Sequence, residues 1–237
     1  MSPPLAPRDR LVFGLDVSTS ADAERLCAAV GHSVGVFKVG LELFSAVGPS
    51  AVTHLVTRGK RVFVDLKLHD IPATVGRATA AVRDLGAHYL TVHTAVGSEG
   101  MRAAAAAVRG SSLELLGVTV LTSANDAMLN EIGMRGSVAE SVMQLAKLAM
   151  GSGFRGLVCS PMECELLRAE LGKDVLLVTP GVRSASDAAG DQKRIATPAQ
   201  AIAHGADMLV VGRPIRDAAD PSAMAARFLS EIEQALR

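Results

Sequence analysis

The chain has 237 residues, of which 49% are apolar and 20% are charged, so its composition excludes an intrinsically disordered protein. Its 24 Lys and Arg residues balance 24 Asp and Glu residues, which excludes a global electrostatic attraction to nucleic acid or anionic lipid. Six Phe, one Tyr and no Trp are too few for the stacking platform of a single-stranded nucleic-acid binder. An anion site in this protein must therefore be local.

The cysteine pattern favours a reducing cytoplasm, because Cys27, Cys159 and Cys164 form no CxxC pair and do not suit a disulfide framework. Apolar runs stay shorter than the roughly 18 residues of a transmembrane helix, so no membrane span is predicted. Residues 1–10 contain three prolines and lack the apolar centre of a signal peptide. We expect this segment to be a loose N-terminal arm.

From residue 11 onward, short β-branched runs alternate with longer Ala-rich and Leu-rich stretches of helical period, which is typical of repeated βα units. The predicted strands cover residues 11–17, 35–40, 61–67, 89–94, 113–121, 156–160, 175–179 and 208–212. The predicted helices cover residues 21–30, 43–58, 73–85, 98–109, 138–151, 162–171, 198–204 and 221–236. Eight strands and eight helices predict a single-domain (β/α)8 TIM barrel over residues 11–237.

Two connections of the predicted barrel are longer than the others. Residues 122–136 follow strand 5 and residues 180–197 follow strand 7. Long loops in a compact domain are usually functional, and the catalytic groups of TIM barrels lie at the carboxyl ends of the strands. We therefore expect the active site at that end, with these two loops as lids.

Charged residues lie at this end of three strands: Asp16 in strand 1, Lys38 in strand 2, and Asp65 and Lys67 in strand 3. Strand alternation predicts that Asp65 and Lys67 share one face, whereas Asp70 lies in the following loop, where alternation predicts no direction. The structural alternative is a buried salt bridge, because buried charges are kept only when paired. Apolar residues would often be as stable there, so the cluster favours an active site.

A second set of residues is suited to binding an anion. Gly181, Arg183 and Gln192 follow strand 7, and Gly212 and Arg213 follow strand 8. Barrels commonly bind phosphate at these two strand ends, where glycines let backbone N–H groups approach and Arg supplies a forked donor. The alternative is that the glycines only turn the chain and that both arginines are solvated.

Seven segments spread over almost the whole chain resemble, in the same order, segments of the orotidine 5′-phosphate decarboxylase family. They are Phe13-Gly14-Leu15-Asp16, Phe37-Lys38-Val39-Gly40, Asp65-Leu66-Lys67-Leu68-His69-Asp70-Ile71-Pro72, Val118-Thr119-Val120-Leu121-Thr122-Ser123, Pro180-Gly181-Val182-Arg183, Gly190-Asp191-Gln192 and Val211-Gly212-Arg213-Pro214. One DxKxxD motif alone is a weak signal, but seven ordered segments are a specific one.

The resemblance implies the decarboxylation of orotidine 5′-phosphate to UMP, the last step of de novo pyrimidine biosynthesis, without a metal or cofactor. Lys67 is implied to protonate C6 of the pyrimidine after CO₂ leaves, and Asp65 to lie beside the departing carboxylate. Lys38 is implied to hold the carboxylates in place and contact the ribose, and Asp16 to bind a ribose hydroxyl. Thr122 is implied to border the pyrimidine.

The resemblance also implies a phosphate site and a shared active site. The residues implied to grip the 5′-phosphate are Arg183, Gln192, Gly212 and Arg213. Asp70 and Thr74 are implied to reach the neighbouring subunit's site, which makes the protein a homodimer, with Asp70 in the catalytic set. One position departs from the family pattern, because Ala73 stands where the family usually has Asn. The change bears on the loop and the dimer contact more than on the chemistry.

Two alternatives remain open on the same barrel. The first is a Mg²⁺-dependent sugar-phosphate decarboxylase, a family that also carries DxKxxD and typically has a glutamate ligand on strand 2. Lys38 occupies that position here, and its positive charge would repel the metal. The second alternative is a barrel that binds a nucleotide without catalysis, because a fold never proves a function.

Overall fold

Eight parallel strands close into one barrel in the computed structural model, which describes residues 5–184 and 196–237. The strands are β1 Leu11–Gly14, β2 Val36–Gly40, β3 Arg61–Leu68, β4 Tyr89–His93, β5 Glu114–Val118, β6 Gly156–Val158, β7 Leu176–Pro180 and β8 Met208–Val211. Each strand pairs with the next along the chain, and β8 pairs with β1. The predicted (β/α)8 barrel is confirmed.

Helices connect the strands around the outside of the barrel. The α-helices of the described residues are α1 Ser20–Val30, α2 Leu41–Val47, α3 Ser50–Thr57, α4 Pro72–Asp84, α5 Gly97–Ala107, α6 Asp126–Glu131, α7 Val138–Gly151, α8 Cys164–Leu171, α9 Pro198–Ala203, α10 Arg213–Arg216 and α11 Pro221–Ala235. Short 3₁₀ helices cover Pro7–Arg10, Thr94–Val96 and Pro161–Glu163. Within residues 5–184 and 196–237, every helix is too short or too polar to span a bilayer.

Two apolar clusters form the core, and they use opposite faces of the strands. Val12 and Phe63 belong to the smaller cluster, whereas their neighbours Leu11, Phe13 and Val64 belong to the larger one. Because successive side chains of a strand point to opposite faces, the smaller cluster fills the barrel and the larger one packs the barrel against the helices. A polar side chain on the inner face, near the end of its strand, therefore faces the carboxyl end of the barrel.

The predicted helix over residues 43–58 is two helices in the structure, α2 and α3. Gly48 separates them with a φ of 78°, in the left-handed region that favours glycine, and Pro49 follows directly. Proline also disfavours helical backbone at the residue before it, so the Gly-Pro step ends α2. The helical structure predicted from the periodicity is confirmed on both sides of this break.

The structure corrects the expectation of a loose arm for residues 7–10, which form a 3₁₀ helix beside the amino end of the barrel. The Arg8 guanidinium donates to the backbone oxygens of Val34 (3.1 Å) and Gly31 (2.9 Å), and Arg10 donates to the oxygen of Asp207 (3.3 Å). Side-chain donors attach this segment to carbonyls from both ends of the chain, a long-range contact that composition does not reveal.

Candidate active site

A cavity of about 420 Å³ opens at the carboxyl ends of the strands, within the usual size range of small-molecule sites. Its walls combine charged groups with apolar side chains from β3, β8 and the region after β5. The predicted site residues that line it are Asp16, Lys38, Asp65, Lys67, Thr122, Arg183, Gly212 and Arg213. Strands 1, 2, 3, 5, 7 and 8 thus bring these eight residues, distant in sequence, to one cavity.

Four charged side chains form a row of alternating sign along one wall of the cavity. This row, which we call the charge chain, consists of Asp16, Lys38, Asp65 and Lys67. Lys38 Nζ lies 3.2 Å from Asp16 Oδ1 and 3.6 Å from Asp65 Oδ2. Lys67 Nζ lies 2.8 Å from Asp65 Oδ1. Asp65 thus holds one ammonium with each of its carboxylate oxygens, and Lys67 stands at the free end of the chain, where it faces the cavity.

Burial makes the pairing at the centre of this chain strong. The Lys38 and Asp65 side chains are only 11% and 13% exposed, whereas Lys67 is 31% exposed. Burial raises the pKa of the Asp65 carboxyl, but the Lys38 and Lys67 ammoniums outweigh it and bring the pKa below its ordinary value. Burial lowers the pKa of Lys38, and the Asp65 and Asp16 carboxylates reverse that change and raise it. Asp65 and Lys38 are therefore both charged at neutral pH.

The backbone around Lys67 departs from a regular strand. Among the described residues, Lys67 is the only non-glycine residue with a positive φ, at 49°. Val64 pairs with Leu90 but Leu68 pairs with Val92, so β3 advances four residues where β4 advances two. The expectation that Asp65 and Lys67 face the same way is met in position, but a bulge brings Lys67 there, not simple alternation.

The two glycines and the two arginines of the predicted anion site lie just after β7 and β8, and Gly212 lies next to Asp16. Gly181 has a φ of 83°, and a Cβ on Gly212 would lie 2.9 Å from Asp16 Oδ2, so both positions favour glycine. Arg183 is 7% exposed and donates to the backbone oxygen of Val182 (2.9 Å), while Arg213 begins α10. Gln192 lies outside the described residues.

Asp70 and Thr74 do not line the cavity of their own chain. Asp70 is exposed, and its Oδ1 accepts a hydrogen bond from the backbone N–H of Ile71 at 2.6 Å. Thr74 lies in the first turn of α4. Ile71, between them, exposes 66% of its surface although it is large and apolar. Their predicted role in a neighbouring site stays a prediction.

Sequence reasoning missed three polar residues of this region. The Arg216 guanidinium lines the cavity, donates to the backbone oxygen of Asp16 (2.8 Å) and pairs with the Asp217 carboxylate at 2.6 and 2.9 Å. Glu42 lines the rim and accepts from the Ser18 hydroxyl (2.9 Å). The spacing of Arg213 and Arg216, three residues apart after β8, was the available signal.

Thr91 is the third missed residue, and its hydroxyl contacts both Asp65 and the backbone of Lys67. Nothing in the sequence distinguishes it, because a threonine within a β-branched strand is typical of any buried strand.

Across residues 5–184 and 196–237, no three His, Cys, Asp or Glu side chains are grouped so that they could hold a metal ion.

The cavity can therefore bind an elongated anionic ligand. Arg183 and Arg213 suit a phosphate at one end, because Arg matches phosphate oxygens with a forked set of donors. Apolar side chains between the two ends suit a planar ring, and they are Phe63, Val118, Val120, Val158 and Val210. At the other end, the Lys67 ammonium can supply a positive charge and a proton.

Comparison with known proteins supports the family resemblance of the seven sequence segments. The sequence matches the model of the family described as Orotidine 5′-phosphate decarboxylase / HUMPS over residues 9–228. The orotidine 5′-phosphate decarboxylase of Bradyrhizobium sp. (strain ORS 278) is 50% identical over 232 residues, 98% of this chain and 95% of that protein. The protein of the same name from Anaeromyxobacter sp. (strain K) is 50% identical over 223 residues, 93% of this chain and 97% of that protein.

A solved structure agrees with the sequence matches. The crystal structure of orotidine 5′-phosphate decarboxylase from Lactobacillus acidophilus has a TM-score of 0.83 to this chain at 36% identity, covering 94% of this chain and 99% of that one. The resemblance drawn from seven short segments is thereby confirmed over nearly the full length. The chain belongs to the orotidine 5′-phosphate decarboxylase / HUMPS family.

Proposed function

We propose that this protein decarboxylates orotidine 5′-phosphate to UMP and CO₂, the last step of de novo pyrimidine biosynthesis, with neither a metal nor a cofactor. One observation carries the proposal most directly: Lys67 Nζ stands at the cavity end of the charge chain, 2.8 Å from the buried Asp65 Oδ1. Family membership and the two arginines that line the same cavity support the same substrate.

The reaction needs a group that stabilises negative charge on carbon. When the bond between C6 and the carboxylate carbon breaks, its electron pair stays on C6, and the pyrimidine ring delocalises that carbanion poorly. An ammonium that the protein already holds in place stabilises such charge without reorganising. Lys67 then transfers one Nζ proton to C6, which yields UMP and a neutral amine that takes its proton back from water.

The other charges of the chain hold this ammonium and the ribose. Asp65 pairs with both lysines and is proposed to lie beside the departing carboxylate. Lys38 keeps Asp16 and Asp65 in place and contacts the ribose, and Asp16 binds a ribose hydroxyl. Because Lys38 and Asp65 are both mostly buried and paired, this wall is rigid before substrate arrives, which lowers the entropic cost of orientation.

Phosphate binding is proposed to occur at the ends of β7 and β8. Arg183 and Arg213 supply the charge, Gly212 lets the backbone approach the anion, and Gln192 is proposed to join them from the loop after β7. Thr122 borders the pyrimidine from the loop after β5. Binding energy from a remote phosphate can be used to order the site and exclude water, so the phosphate contacts affect turnover as well as affinity.

Truncation of one phosphate ligand tests this part of the proposal. Arg213→Ala is expected to lower kcat/KM about 10²-fold, because hydrogen bonds to a charged group are lost from a desolvated site. UMP binding should weaken in parallel, while uridine, which lacks the phosphate, should bind both proteins equally. Titration calorimetry with the two ligands measures this difference.

Arg102→Ala is the matched control, because Arg102 lies on α5 with an exposed side chain, away from the cavity. It should leave kcat/KM and UMP affinity unchanged. Activity of Arg213→Ala within a few-fold of the unmodified protein would remove Arg213 from the phosphate site.

We also propose a homodimer in which Asp70 and Thr74 complete the neighbouring site. Both residues lie next to the carboxyl end of β3 yet outside their own cavity, and the exposed apolar side chain of Ile71 accompanies them. A large exposed apolar residue beside charged groups is suited to a protein interface. Asp70 would then approach the partner subunit's copy of the charge chain and extend its alternation of sign.

The substrate itself is tested by absorbance. Orotidine 5′-phosphate added to the protein in EDTA should lose the ultraviolet absorbance of its conjugated carboxylate at an enzymatic rate. Turnover of this substrate that appears only after Mg²⁺ is added would favour the metal-dependent alternative. Tight UMP binding with unchanged absorbance in both buffers would favour a nucleotide-binding barrel without catalysis.

A further inference from the structure

Thr91 of β4 occupies the point where the two functional groups of β3 meet. Its side chain is fully buried. Its Oγ1 accepts a hydrogen bond from the backbone N–H of Lys67 at 2.9 Å and donates one to Asp65 Oδ1 at 3.0 Å. The same Asp65 oxygen accepts from Lys67 Nζ at 2.8 Å. One hydroxyl therefore contacts the carboxylate and the main chain that carries the ammonium.

The backbone of Lys67 makes the first of these contacts important. Its φ of 49° is in the left-handed region, which costs free energy for a residue with a Cβ and persists only where surrounding contacts hold it. The bulge between Val64 and Leu68 removes Lys67 from the regular ladder with β4, so a side chain takes the place of a strand carbonyl as acceptor. That side chain is Thr91.

The second contact determines the orientation of the Asp65 carboxylate. A hydroxyl has one proton, and here it is directed at Asp65 Oδ1 because the Lys67 N–H approaches its lone pair. The other carboxylate oxygen lies 3.6 Å from Lys38 Nζ. With Oδ1 fixed by Thr91 and Oδ2 by Lys38, the plane of the carboxylate is set, and with it the position of Lys67 Nζ.

We infer that Thr91 is a positioning residue for the decarboxylation, acting through Asp65 and Lys67 and not through the substrate. The inference rests on the proposed function of those two residues. Its hydroxyl holds the strained backbone of Lys67 and orients the carboxylate that aims the ammonium, so a small displacement there moves the proton donor away from C6. Misplacing a catalytic group by about 1 Å can cost about 10²-fold in rate.

The test compares Thr91→Val, which keeps the shape and removes the hydroxyl, with Thr91→Ser, which keeps the hydroxyl. Thr91→Val should lower kcat about 10²-fold with KM for orotidine 5′-phosphate within about threefold, because Thr91 does not line the cavity. Thr91→Ser should restore kcat to within about threefold of the unmodified protein. A loss of kcat that is equal in both variants would overturn the inference, as would full activity of Thr91→Val.

Thr79→Val is a matched control, because Thr79 on α4 is also fully buried and its hydroxyl has no hydrogen-bond partner among the described residues. It makes the same chemical change in the same domain without touching the charge chain. Kcat should stay unchanged in Thr79→Val. An equal loss of kcat in Thr79→Val and Thr91→Val would assign the effect to general packing and contradict a positioning role.

Hydrogen–deuterium exchange separates this inference from the proposed function. The Lys67 amide should exchange faster in Thr91→Val than in the unmodified protein or in Thr79→Val, since its acceptor is gone. This measurement needs no substrate, so it checks the contact even if orotidine 5′-phosphate is not turned over. Unchanged exchange of the Lys67 amide would show that Thr91 does not hold this segment.

Discussion

Lys67→Ala is expected to lower kcat for orotidine 5′-phosphate by at least about 10⁵-fold, because it removes both the charge proposed to stabilise the carbanion and the proton proposed to quench it. The side chain is 31% exposed at the end of the charge chain, so the fold should survive its truncation. Affinity for UMP should change little, since the proposed phosphate and ribose contacts involve other residues. Steady-state kinetics, UMP titration and circular dichroism measure the three quantities.

Lys147→Ala is the control for this variant. Lys147 lies on α7 and pairs with Glu170 at the surface, so its removal deletes one lysine from the same chain at a distance from the cavity. It should retain full activity, because exposed ion pairs contribute little. If Lys67→Ala kept activity within tenfold of the unmodified protein, Lys67 would not be the proton donor.

Lys67→Ala also tests whether the active site of the proposed dimer is shared between subunits. Lys67→Ala and Asp70→Ala should each be inactive alone, and a hybrid dimer of the two should contain one site with neither substitution. After dissociation and reassociation of an equal mixture, about a quarter of the full activity should return, because half of the dimers are hybrids with one intact site of two. A mixture that stays inactive would show that each site belongs to a single chain.

Asp65→Asn is expected to have the second largest effect and to reduce both activity and stability. It leaves the Lys38 and Lys67 ammoniums close together without their common counter-charge, and breaking a buried pair costs about 3 kcal/mol. Kcat should fall about 10³-fold, because the orientation of Lys67 and the field around it are lost together. Urea unfolding near neutral pH measures the free energy of unfolding.

A double variant separates the loss of stability from the loss of activity. Lys38→Met removes the buried ammonium that Asp65→Asn leaves with the Asp16 carboxylate but without that of Asp65, so the pair of changes should recover part of the lost stability. Activity should not return, because Lys67 still lacks its partner. If the destabilisation were simply additive, Lys38 and Asp65 would not be coupled and the charge chain would be an incorrect description.

The pH dependence of stability follows from the same residue. The pKa of Asp65 is lowered in the folded protein below its ordinary value of 3.8, so the carboxylate stabilises the fold above that value. This contribution is lost as the pH falls through the folded-state pKa, where Asp65 takes up a proton. The difference in unfolding free energy between the unmodified protein and Asp65→Asn should therefore narrow as the pH is lowered below about 4.

Much of the fold and the location of the site could be predicted from local pattern. The alternation of β-branched runs with helical periods reflects burial on both faces of parallel strands, and eight such units are the number that closes a barrel. Charges at Asp16, Lys38 and Asp65 stood out because ionic residues rarely occupy such strands. Their convergence follows from the topology, which brings all carboxyl ends to one side.

The rest depends on contacts between distant residues. The predicted fifth strand over 113–121 ends at Val118 in the structure, because its partner β6 ends at Val158 and Val120 lines the cavity instead of pairing. Neither the bulge at Lys67 nor the contact with Thr91 has a local signal, since both arise from the mismatch between two strands. Sequence pattern predicts which face of a strand a residue occupies, but pairing with the neighbouring strand determines its backbone conformation.

The central claim is that Lys67 protonates C6 in a decarboxylation that needs no metal. The most direct measurement is the yield of labelled CO₂ and of UMP from carboxyl-labelled orotidine 5′-phosphate in EDTA, with Lys67→Ala alongside. Equal amounts of CO₂ and UMP are expected from the unmodified protein and neither product from the variant, although the variant still binds UMP. Equal turnover by both proteins, or none by either until Mg²⁺ is added, would contradict it.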